Sequence, residues 1–451
     1  MSRLINNMRI KVIDHFRKTE GYNLYEDFLK TQWLSPEEIQ QLQMNRMKCL
    51  LNHAYTHVPY YNKLLDSHGI HPDDIKDLND YSKIPILTKE LIRSNHSELM
   101  AKNKEIFGPR LKASGGSTGK PIYFYLDRKS HSAQWAYLWR SWSMGGWEPV
   151  DKMVMIGGTS LYPSVRAFKK WAYTKINNWL LLSAFGMNDD TMEEWIQEIR
   201  KFKAKHMYSY ASSAYLLAKY VEKNQIKDIS FDAVYTTAEV LQPKFRETIE
   251  RVFSTEVFNI YGGCDGAGFA FECHEHSGLH IVAENCIMEI SKDDKSQSHE
   301  NEDTGELIVT DLFNYAMPFI RYQVGDVGTL DPTPCKCGRG LPLLKNICGR
   351  SPDYIVTGEG KRFHEEFFSY LFSPLKWVSQ YYVVQNTKSS VHIYLKSDEN
   401  PSAEDLNKVK SFLEKSLVGL KIQLDLTDDI PMRSSGKFHY IVNNTEVNED
   451  N

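Results

Sequence analysis

Short apolar strands alternate with amphipathic helices from about residue 112 onward, and this alternation restricts the chain to a few fold classes. The predicted strands are rich in β-branched and other apolar residues and cover residues 153–158, 233–237, 257–261, 281–284 and 306–310. Between the first two strands we predict a helix that opens with a capping box at Thr191 and Glu194 and carries an apolar stripe of Met192, Trp195, Ile199 and Phe202. Strand–helix alternation of this kind predicts an α/β domain with a substantial parallel sheet.

The chain changes character on both sides of this region. The first 110 residues are mainly helical in pattern, and Ser35 followed by Pro36 predicts a helix start. After Arg350, residues 380–384 and 390–395 alternate like half-buried strands, and a helix over 403–417 and a strand over 421–426 follow. We therefore predict a large α/β domain with mixed sheets over residues 1–349 and a small α+β domain over residues 350–451, with a hinge near residue 350.

Composition excludes several functional classes. The chain has 54 lysines and arginines against 58 aspartates and glutamates, a net charge of −4, so a dominant nucleic-acid surface is not expected. No stretch approaches the roughly 18 apolar residues that a membrane-spanning helix needs, and the first residues lack the apolar core of a secretory signal. Seven cysteines, an odd number, make a poor disulfide framework. We expect a cytoplasmic protein, and an oligomer is compatible with these features.

A dense run of small and hydroxyl residues is the first chemical signal. It consists of Ser114, Gly115, Gly116, Ser117, Thr118, Gly119, Lys120 and Pro121. Glycines allow close backbone approach, and successive N–H groups, hydroxyls and one lysine can surround phosphate oxygens. The P-loop pattern of NTPases is not met, because Pro121 stands where that pattern requires a Mg²⁺-binding hydroxyl. We interpret the run as a phosphate-handling loop; a plain flexible loop is the alternative.

Four later motifs accompany this loop. They are Tyr261-Gly-Gly-Cys-Asp265, Thr304-Gly-Glu-Leu continuing to Pro318-Phe-Ile-Arg-Tyr-Gln-Val-Gly-Asp326, Gly349-Arg-Ser-Pro-Asp353 and Arg433-Ser-Ser-Gly-Lys437. With these motifs in this order over roughly residues 110–440, the chain resembles the adenylate-forming superfamily of acyl-CoA synthetases and related ligases. The similarity is greatest to the branch of phenylacetate–CoA ligase and the CapK-type capsule-cluster proteins. The resemblance implies a large N-terminal domain and a small mobile C-terminal domain.

The resemblance also implies the reaction, which is ATP-dependent activation of a carboxylic acid at the α-phosphate. Two anions must meet in this step, so the site needs cations and donors that act on the developing charge. By resemblance, Lys437 would reach into the site during adenylation, and Asp265, where relatives usually have Glu, would help to hold Mg²⁺. Besides the loop 114–120, the implied nucleotide-binding residues are Glu239 and Tyr261 at the adenine, Gly262, Asp326 at the ribose hydroxyls and Arg350 near the hinge residue Asp353. A core position is the alternative for Tyr261.

Cysteines and histidines also cluster along the sequence. Cys335 and Cys337 form a tight thiol pair in a Pro- and Gly-flanked loop, and the segment from Cys273 to His280 contains further candidate ligands. Zn²⁺ accepts sulfur and nitrogen ligands tetrahedrally, so four such groups would close a structural site. Because phenylacetate ligase-like relatives carry a similar pattern, the resemblance implies Cys273, His280, Cys335 and Cys337 as the ligands. His274 or His276 could replace His280, and reduced buried thiols with solvent-exposed histidines are the alternative to a metal.

We therefore predict an ATP- and Mg²⁺-dependent ligase with a structural Zn²⁺. It activates a small carboxylic acid, aromatic and amino-acid types included, as an acyl-AMP. In phenylacetate–CoA ligase-like chemistry the acceptor is a thiol, either CoA or the phosphopantetheine of a carrier protein. An amine acceptor, as in polysaccharide or metabolite decoration, is the alternative. A catalytically silent nucleotide- and zinc-binding scaffold is a further alternative, and the presence of Lys437 and Asp326 argues against it.

Overall fold

Helices make up most of the first hundred described residues, as the sequence predicts. The structure is a computed structural model that describes residues 10–11, 14, 19–113, 122–158, 174–184, 187–262, 268–291, 304–350, 354–358, 362–372, 374–375, 377–397, 399–431 and 440–445. The N-terminal helices α1–α5 span Gly21–Thr31, Pro36–His57, Pro59–Ser67, Leu78–Tyr81 and Lys89–Ser94. The predicted start at Ser35 is confirmed, because its hydroxyl accepts a hydrogen bond from the Glu38 N–H while the Glu38 carboxylate accepts one from the Ser35 N–H.

A large mixed sheet lies at the centre of the molecule, preceded by a separate hairpin of β1 (Arg110–Ala113) and β2 (Tyr123–Leu126). Its strands β3 to β13 are, in chain order, Met153–Gly157, Trp179–Ser183, His206–Tyr210, Ala233–Thr237, Glu256–Gly262, Phe269–Glu272, Leu279–Ile281, Cys286–Ser291, Thr304–Asp311, Tyr322–Asp331 and Leu343–Arg350. Neighbouring strands follow the order β10-β11-β12-β13-β9-β8-β7-β6-β5-β3-β4. The β4-β3-β5-β6-β7 half is parallel, as predicted, and the remaining pairings are antiparallel.

Successive residues of the parallel strands face two different cores, as a pleated strand requires. Met153 and Met155 of β3 belong to a core shared with helices α1–α5 and with α6 (Arg128–Ser143). Val154 and Ile156 belong to a second core with α7 (Asp189–Phe202), α8 (Ala211–Lys223) and α9 (Pro243–Phe253). Because both faces of the parallel half are covered by helices, its central strands β3, β5 and β6 are buried along their whole length.

The C-terminal part forms a smaller α+β region. A hairpin of β14 (Tyr354–Val356) and β15 (Arg362–His364) leads into α10 (Glu365–Phe372). A second sheet has the order β18-β17-β16-β19, with β16 at Val378–Thr387, β17 at Ser390–Ser397, β18 at Lys421–Leu426 and β19 at Ile441–Asn443. Helix α11 (Ala403–Ser416) joins β17 to β18, so the predicted strand–strand–helix–strand order is confirmed. Tyr381 of β16 packs in the second core, and its hydroxyl lies 3.4 Å from the Gln242 side-chain nitrogen.

Two local predictions were wrong. The capping box of α7 lies three residues earlier than predicted, at Asn188. The Asn188 side chain accepts a hydrogen bond from the Thr191 N–H, and asparagine is among the residue types preferred at the N-cap. Residues 281–284 do not form a strand beyond Ile281. The Glu284 carboxylate instead turns into the interior, where Arg140 Nη1 donates to it at 2.6 Å and the Thr31 hydroxyl at 2.9 Å. A buried carboxylate needs such partners, and they draw this segment out of the sheet.

Candidate active site

The carboxyl ends of the parallel strands gather several of the predicted nucleotide-binding residues. β5, β6 and β7 end side by side, and ligands of open α/β sheets bind at this edge. Glu239 follows β6, and its carboxylate accepts a 2.8 Å hydrogen bond from the Ser212 N–H in the first turn of α8. Ala238, just before it, has a left-handed φ of 70°, which is unfavourable for a residue with a side chain. The strained turn and the hydrogen bond hold Glu239 at the ligand edge of the sheet.

Tyr261 and Asp326 meet although they are far apart in the sequence. Tyr261 stands near the end of β7 and is followed by the exposed Gly262, which ends the strand. The Tyr261 hydroxyl donates a 2.8 Å hydrogen bond to Oδ2 of Asp326 on β12. Asp326 is paired across the β12–β13 ladder with Arg350, the last residue of β13. Tyr261 and Asp326 are both only partly buried, so the carboxylate that Tyr261 contacts lies at an accessible edge of the sheet.

Several sequence-predicted residues lie outside the described residues: Ser114, Gly115, Gly116, Ser117, Thr118, Gly119, Lys120, Asp265, Asp353 and Lys437. The structure does place the segments that flank two of these regions, the loop 114–120 and the segment that contains Asp265. Ala113 of β1 pairs with Tyr123 of β2, so the two ends of the Gly/Ser/Thr loop leave the same hairpin. Gly262 of β7 pairs with Phe269 of β8, which brings together the ends of the segment that contains Asp265. The roles of these residues stay predictions.

The four predicted metal ligands converge from three places in the fold. Cys273 follows β8, His280 lies on β9, and Cys335 and Cys337 lie in the connection between β12 and β13. The Sγ atoms of Cys273 and Cys335 are 3.7 Å apart, and Cys337 Sγ lies 3.3 Å from His280 Nε2. All four ligand atoms lie within 4.8 Å of one another. Tetrahedral Zn²⁺, with bonds of about 2.0–2.3 Å, needs ligand separations of this size, so the residues fit the metal.

Burial shifts the pKa values of the ligands in this cluster. It favours the neutral, metal-binding form of His280 and opposes the thiolate form of Cys273. Burial, together with the Arg339 and Arg140 cations, lowers the pKa of His280 to about 4, so its imidazole is neutral and able to ligate. Burial raises the pKa of the Cys273 thiol to about 12. Burial acts in the same direction on Cys335, but hydrogen bonds, first among them the one from the Ser277 hydroxyl, lower its pKa overall. A cation is what would allow the buried thiols to ionise together.

The alternative histidines are directed elsewhere. His276 Nε2 lies 2.8 Å from the Glu256 carboxylate, and its Nδ1 lies 3.3 Å from Glu272. His274 Nδ1 lies 3.6 Å from Glu256. Both rings therefore face carboxylates, and His280 is the histidine that the structure brings to the three thiols.

Comparison with known proteins shows what this chain is similar to. Residues 355–444 match the family model of the CapK C-terminal domain. Over 449 residues the chain is 25% identical to protein CapK of Staphylococcus aureus, covering 98% of this chain and 96% of CapK. Over 331 residues it is 29% identical to phenylacetate-coenzyme A ligase of Escherichia coli (strain K12), covering 71% of this chain and 73% of that protein. The chain is thus similar to the branch of the adenylate-forming superfamily that contains phenylacetate–CoA ligase and CapK.

A solved structure shows the same adenylate-forming fold. A 2-hydroxyisobutyryl-CoA ligase in its postadenylation state superposes with a TM-score of 0.74 at 16% identity, over 93% of this chain and 92% of that chain. The same ligase in its thioesterification state gives a TM-score of 0.55. The overall shape of this chain is therefore more similar to the former structure than to the latter. Among the described residues, we find no helix with the length and apolar character that crossing a bilayer requires.

Sequence reasoning missed two residues beside these sites. Lys89 donates a 2.8 Å hydrogen bond from Nζ to the Val324 carbonyl, two residues before Asp326. Its signal in the sequence is a lysine at the first position of a helix, where the helix dipole disfavours a cation. Arg339, in the loop that carries the two cysteines, lies 4.5 Å over the Trp33 ring and donates from Nε to the Gln32 side chain at 2.8 Å. Nothing in the spacing of Arg339 reveals this contact with the N-terminal helices.

Proposed function

We propose that this chain is an AMP-forming acid–thiol ligase of the phenylacetate–CoA ligase type. In the first half-reaction a substrate carboxylate attacks the α-phosphorus of ATP, and pyrophosphate leaves. In the second, the sulfur of CoA attacks the acyl carbon of the acyl-AMP, a thioester forms, the thiol proton is lost and AMP leaves. The acid, ATP and CoA are thus the small-molecule partners.

The observation that carries the proposal is the hydrogen-bonded pair of Tyr261 and Asp326 at the ligand edge of the sheet, in a chain that aligns with phenylacetate–CoA ligases over 331 residues. An aspartate whose carboxylate is oriented by a tyrosine hydroxyl is held in place as a hydrogen-bond acceptor. Vicinal ribose hydroxyls need paired acceptors of this kind. The accessible position of Asp326 is consistent with a nucleotide that enters and leaves on each cycle.

Further described residues can be assigned to the adenosine within this proposal. Glu239, held by the Ser212 N–H, lies at the same edge as Tyr261 and is suited to accept a hydrogen bond from the adenine amino group. Gly262, the residue after Tyr261, would line the adenosine with its backbone, because a Cβ there would lie 2.6 Å from the Phe269 ring. Arg350, whose backbone pairs with Asp326, would contact the nucleotide next to the hinge at Asp353.

The phosphate end of the site is assigned by resemblance. The loop 114–120 would bind the β- and γ-phosphates, and Lys437 would bridge the carboxylate and the α-phosphate. Asp265 would hold Mg²⁺, which when bound neutralises phosphate charge. Cys273, His280, Cys335 and Cys337 would hold a structural Zn²⁺ outside the reaction. A division into residues 1–349 and 350–451 would let Lys437 leave before the thiol arrives, as the two half-reactions require. A cytoplasmic location, where ATP and CoA are available, completes the proposal.

Acid-dependent pyrophosphate release tests the activity. Purified protein is incubated with ATP, Mg²⁺ and hydroxylamine, and pyrophosphate is measured over a panel of aromatic, aliphatic and amino-acid carboxylates. We expect release that depends on at least one acid, and AMP and an acyl-CoA product by mass spectrometry when CoA replaces hydroxylamine. The Asp326→Asn variant is the matched negative control, since it removes an acceptor oxygen at nearly constant size. Wild-type protein that binds ATP but releases no pyrophosphate with any acid would contradict the proposal in favour of a silent scaffold.

The same assay separates the acceptors. The phenylacetate–CoA ligase relatives support a thiol, so product should accumulate with CoA and much less with amines at equal concentration. Faster aminolysis than thioester formation would identify an amide-forming ligase instead, and transfer only to a phosphopantetheinylated protein would identify a carrier-protein acceptor.

A further inference from the structure

The chain just before α5 forms a short addition to the edge of β12. The Leu87 N–H donates to the Arg321 carbonyl at 2.9 Å, and the Gln323 N–H donates to the Leu87 carbonyl at 3.0 Å, which makes Leu87 a parallel bridge partner of Tyr322. Arg321 also holds the residues that precede Leu87, since its guanidinium donates to the carbonyls of Ser82 and Ile84. The residues that lead into α5 are therefore tied to β12 at several points.

Helix α5 starts where this addition ends. Thr88 is its N-cap and accepts a 3.3 Å hydrogen bond from the Leu91 N–H, so Lys89 is the first helical residue. A lysine is unfavourable at this position, because its charge repels the positive end of the helix dipole. The side chain instead extends to the Val324 carbonyl at 2.8 Å and is partly buried there. The hydrogen bond to β12 therefore offsets the unfavourable position of the lysine charge at the helix start.

The Lys89 ammonium lies directly against the turn that precedes Asp326. Gly325 has a φ of +85°, a left-handed conformation that favours glycine, and a Cβ placed on it would lie 3.0 Å from Lys89 Nζ. Lys89 thus closes one side of Gly325 while its hydrogen bond fixes the carbonyl of Val324. On the other side, Asp326 accepts from the Tyr261 hydroxyl at 2.8 Å. The aspartate is therefore held from two directions, by Tyr261 on its carboxylate and by Lys89 on its backbone.

We propose that Lys89 is a positioning residue that orients Asp326 toward the ribose hydroxyls of the nucleotide. The inference rests on the proposed function, because that function assigns the ribose to Asp326. Lys89 acts through the Val324–Asp326 backbone and does not touch the nucleotide. Its removal should therefore weaken only those nucleotide contacts that depend on the ribose hydroxyls.

Binding of two nucleotides tests this by calorimetry with the full chain and no acid present. The nucleotides are ATP and 2′,3′-dideoxy-ATP, which lacks the hydroxyls. For Lys89→Met we expect ATP affinity to fall about tenfold and dideoxy-ATP affinity to change less than about twofold. Lys83→Met is the matched control, since Lys83 lies near the start of the same segment but is exposed and pairs with Asp80. Lys83→Met should leave both affinities unchanged.

Two further variants distinguish positioning from a general loss of folding. Lys89→Gln keeps a donor for the Val324 carbonyl and should retain ATP affinity within about threefold of the wild type. In an Asp326→Asn background, Lys89→Met should have no further effect on ATP binding, because the two residues act in one path. Equal losses for ATP and dideoxy-ATP, no loss for either, or Lys89→Gln as weak as Lys89→Met would each overturn the inference. None of these readouts needs turnover, so a protein that releases no pyrophosphate defeats the proposed reaction while the role of Lys89 is still tested.

Discussion

The β12–β13 hairpin carries a candidate site at each end, and the two ends are built differently. At the open end, Asp326 pairs with Arg350 and accepts from Tyr261, in partly exposed surroundings. At the closed end, the connection after Asp331 carries the two cysteines of the metal cluster. Asp331 lies about 16 Å from Asp326, given the rise per residue of an extended strand. Cys273, His280 and Cys335 of that cluster are buried. The open end suits a ligand that exchanges on each cycle, whereas the closed end suits a permanently bound ion.

This contrast predicts that variants at the two ends affect different measurements. Changes at the open end should alter nucleotide turnover and leave metal content and unfolding unchanged. Changes at the closed end should alter metal content and stability and leave nucleotide affinity unchanged. A variant at either end that changes both sets of measurements would show that the hairpin couples the two sites.

The largest effect is expected for Lys437→Ala. Loss of the cation that meets the developing charge should lower ATP–pyrophosphate exchange about 10³-fold, which corresponds to about 4 kcal/mol. Transfer to CoA from a supplied acyl-adenylate should stay within about threefold, because the thiol step does not use this lysine. Lys421→Ala, an exposed lysine on β18, is the control and should affect neither. Equal loss of both half-reactions would contradict the assignment.

Loss of the metal should come next in size. Cys337→Ser should lower bound zinc, measured by mass spectrometry on protein made without a histidine tag, from one equivalent to less than half. A site occupied at about 100 times its dissociation constant stabilises the fold by about 2.7 kcal/mol, and this amount should be lost from the free energy of unfolding. ATP affinity should change less than about twofold.

The exposed Cys49 provides the control for the metal prediction, since Cys49→Ser should change neither zinc content nor stability. Wild-type protein with less than half an equivalent of zinc would count against a metal site and favour reduced buried thiols.

A smaller effect is expected for Tyr261→Phe. The variant removes one hydrogen bond to a carboxylate, so kcat/KM for ATP should fall about tenfold, or about 1.4 kcal/mol. Tyr55→Phe is a matched control, because Tyr55 donates to Asp66 at the same 2.8 Å on an exposed surface. An unchanged kcat/KM for ATP in Tyr261→Phe would favour a core role for this tyrosine.

The smallest effect is expected where the closed end meets the N-terminal helices. Arg339→Ala removes the contact with the Trp33 ring and the hydrogen bond to Gln32, and should lower the free energy of unfolding by about 1 kcal/mol. Zinc content should not change. Arg251→Ala, which breaks an exposed pair with Glu222, is the control and should cost less. A loss of zinc in Arg339→Ala would show that the loop needs this contact to hold its ligands in place.

The sequence predicted the elements well where the pattern is local. The helix start at Ser35 and the strands over residues 233–237 and 421–426 have clear capping or alternation signals, and the structure has them there. The strand predicted over residues 281–284 was wrong, because this apolar run ends in Glu284, whose partner Arg140 lies on a distant helix. Local patterns carry no information on such partners.

The same limit applies to the sites. Motifs pointed to Tyr261 and Asp326 separately, but their hydrogen bond joins β7 to β12 and appears only in the folded chain. Spacing left three histidines open as ligands, and the ladder register that places His280 opposite Phe271 and Leu343 brings it to the thiols. The position of Lys89 at a helix start is unusual, but it does not reveal the partner Val324, which is more than two hundred residues away in the chain.

By itself, the sequence determined the fold class, the family resemblance and the residue types available for chemistry. These follow from periodicity and from motifs, which are properties of neighbouring residues. Only the tertiary structure decided which end of one hairpin meets Tyr261 and Lys89 and which end meets His280 and Trp33. The physical reason is that strand order and register are fixed by packing between distant segments, and side-chain partners are set only after the sheet has formed.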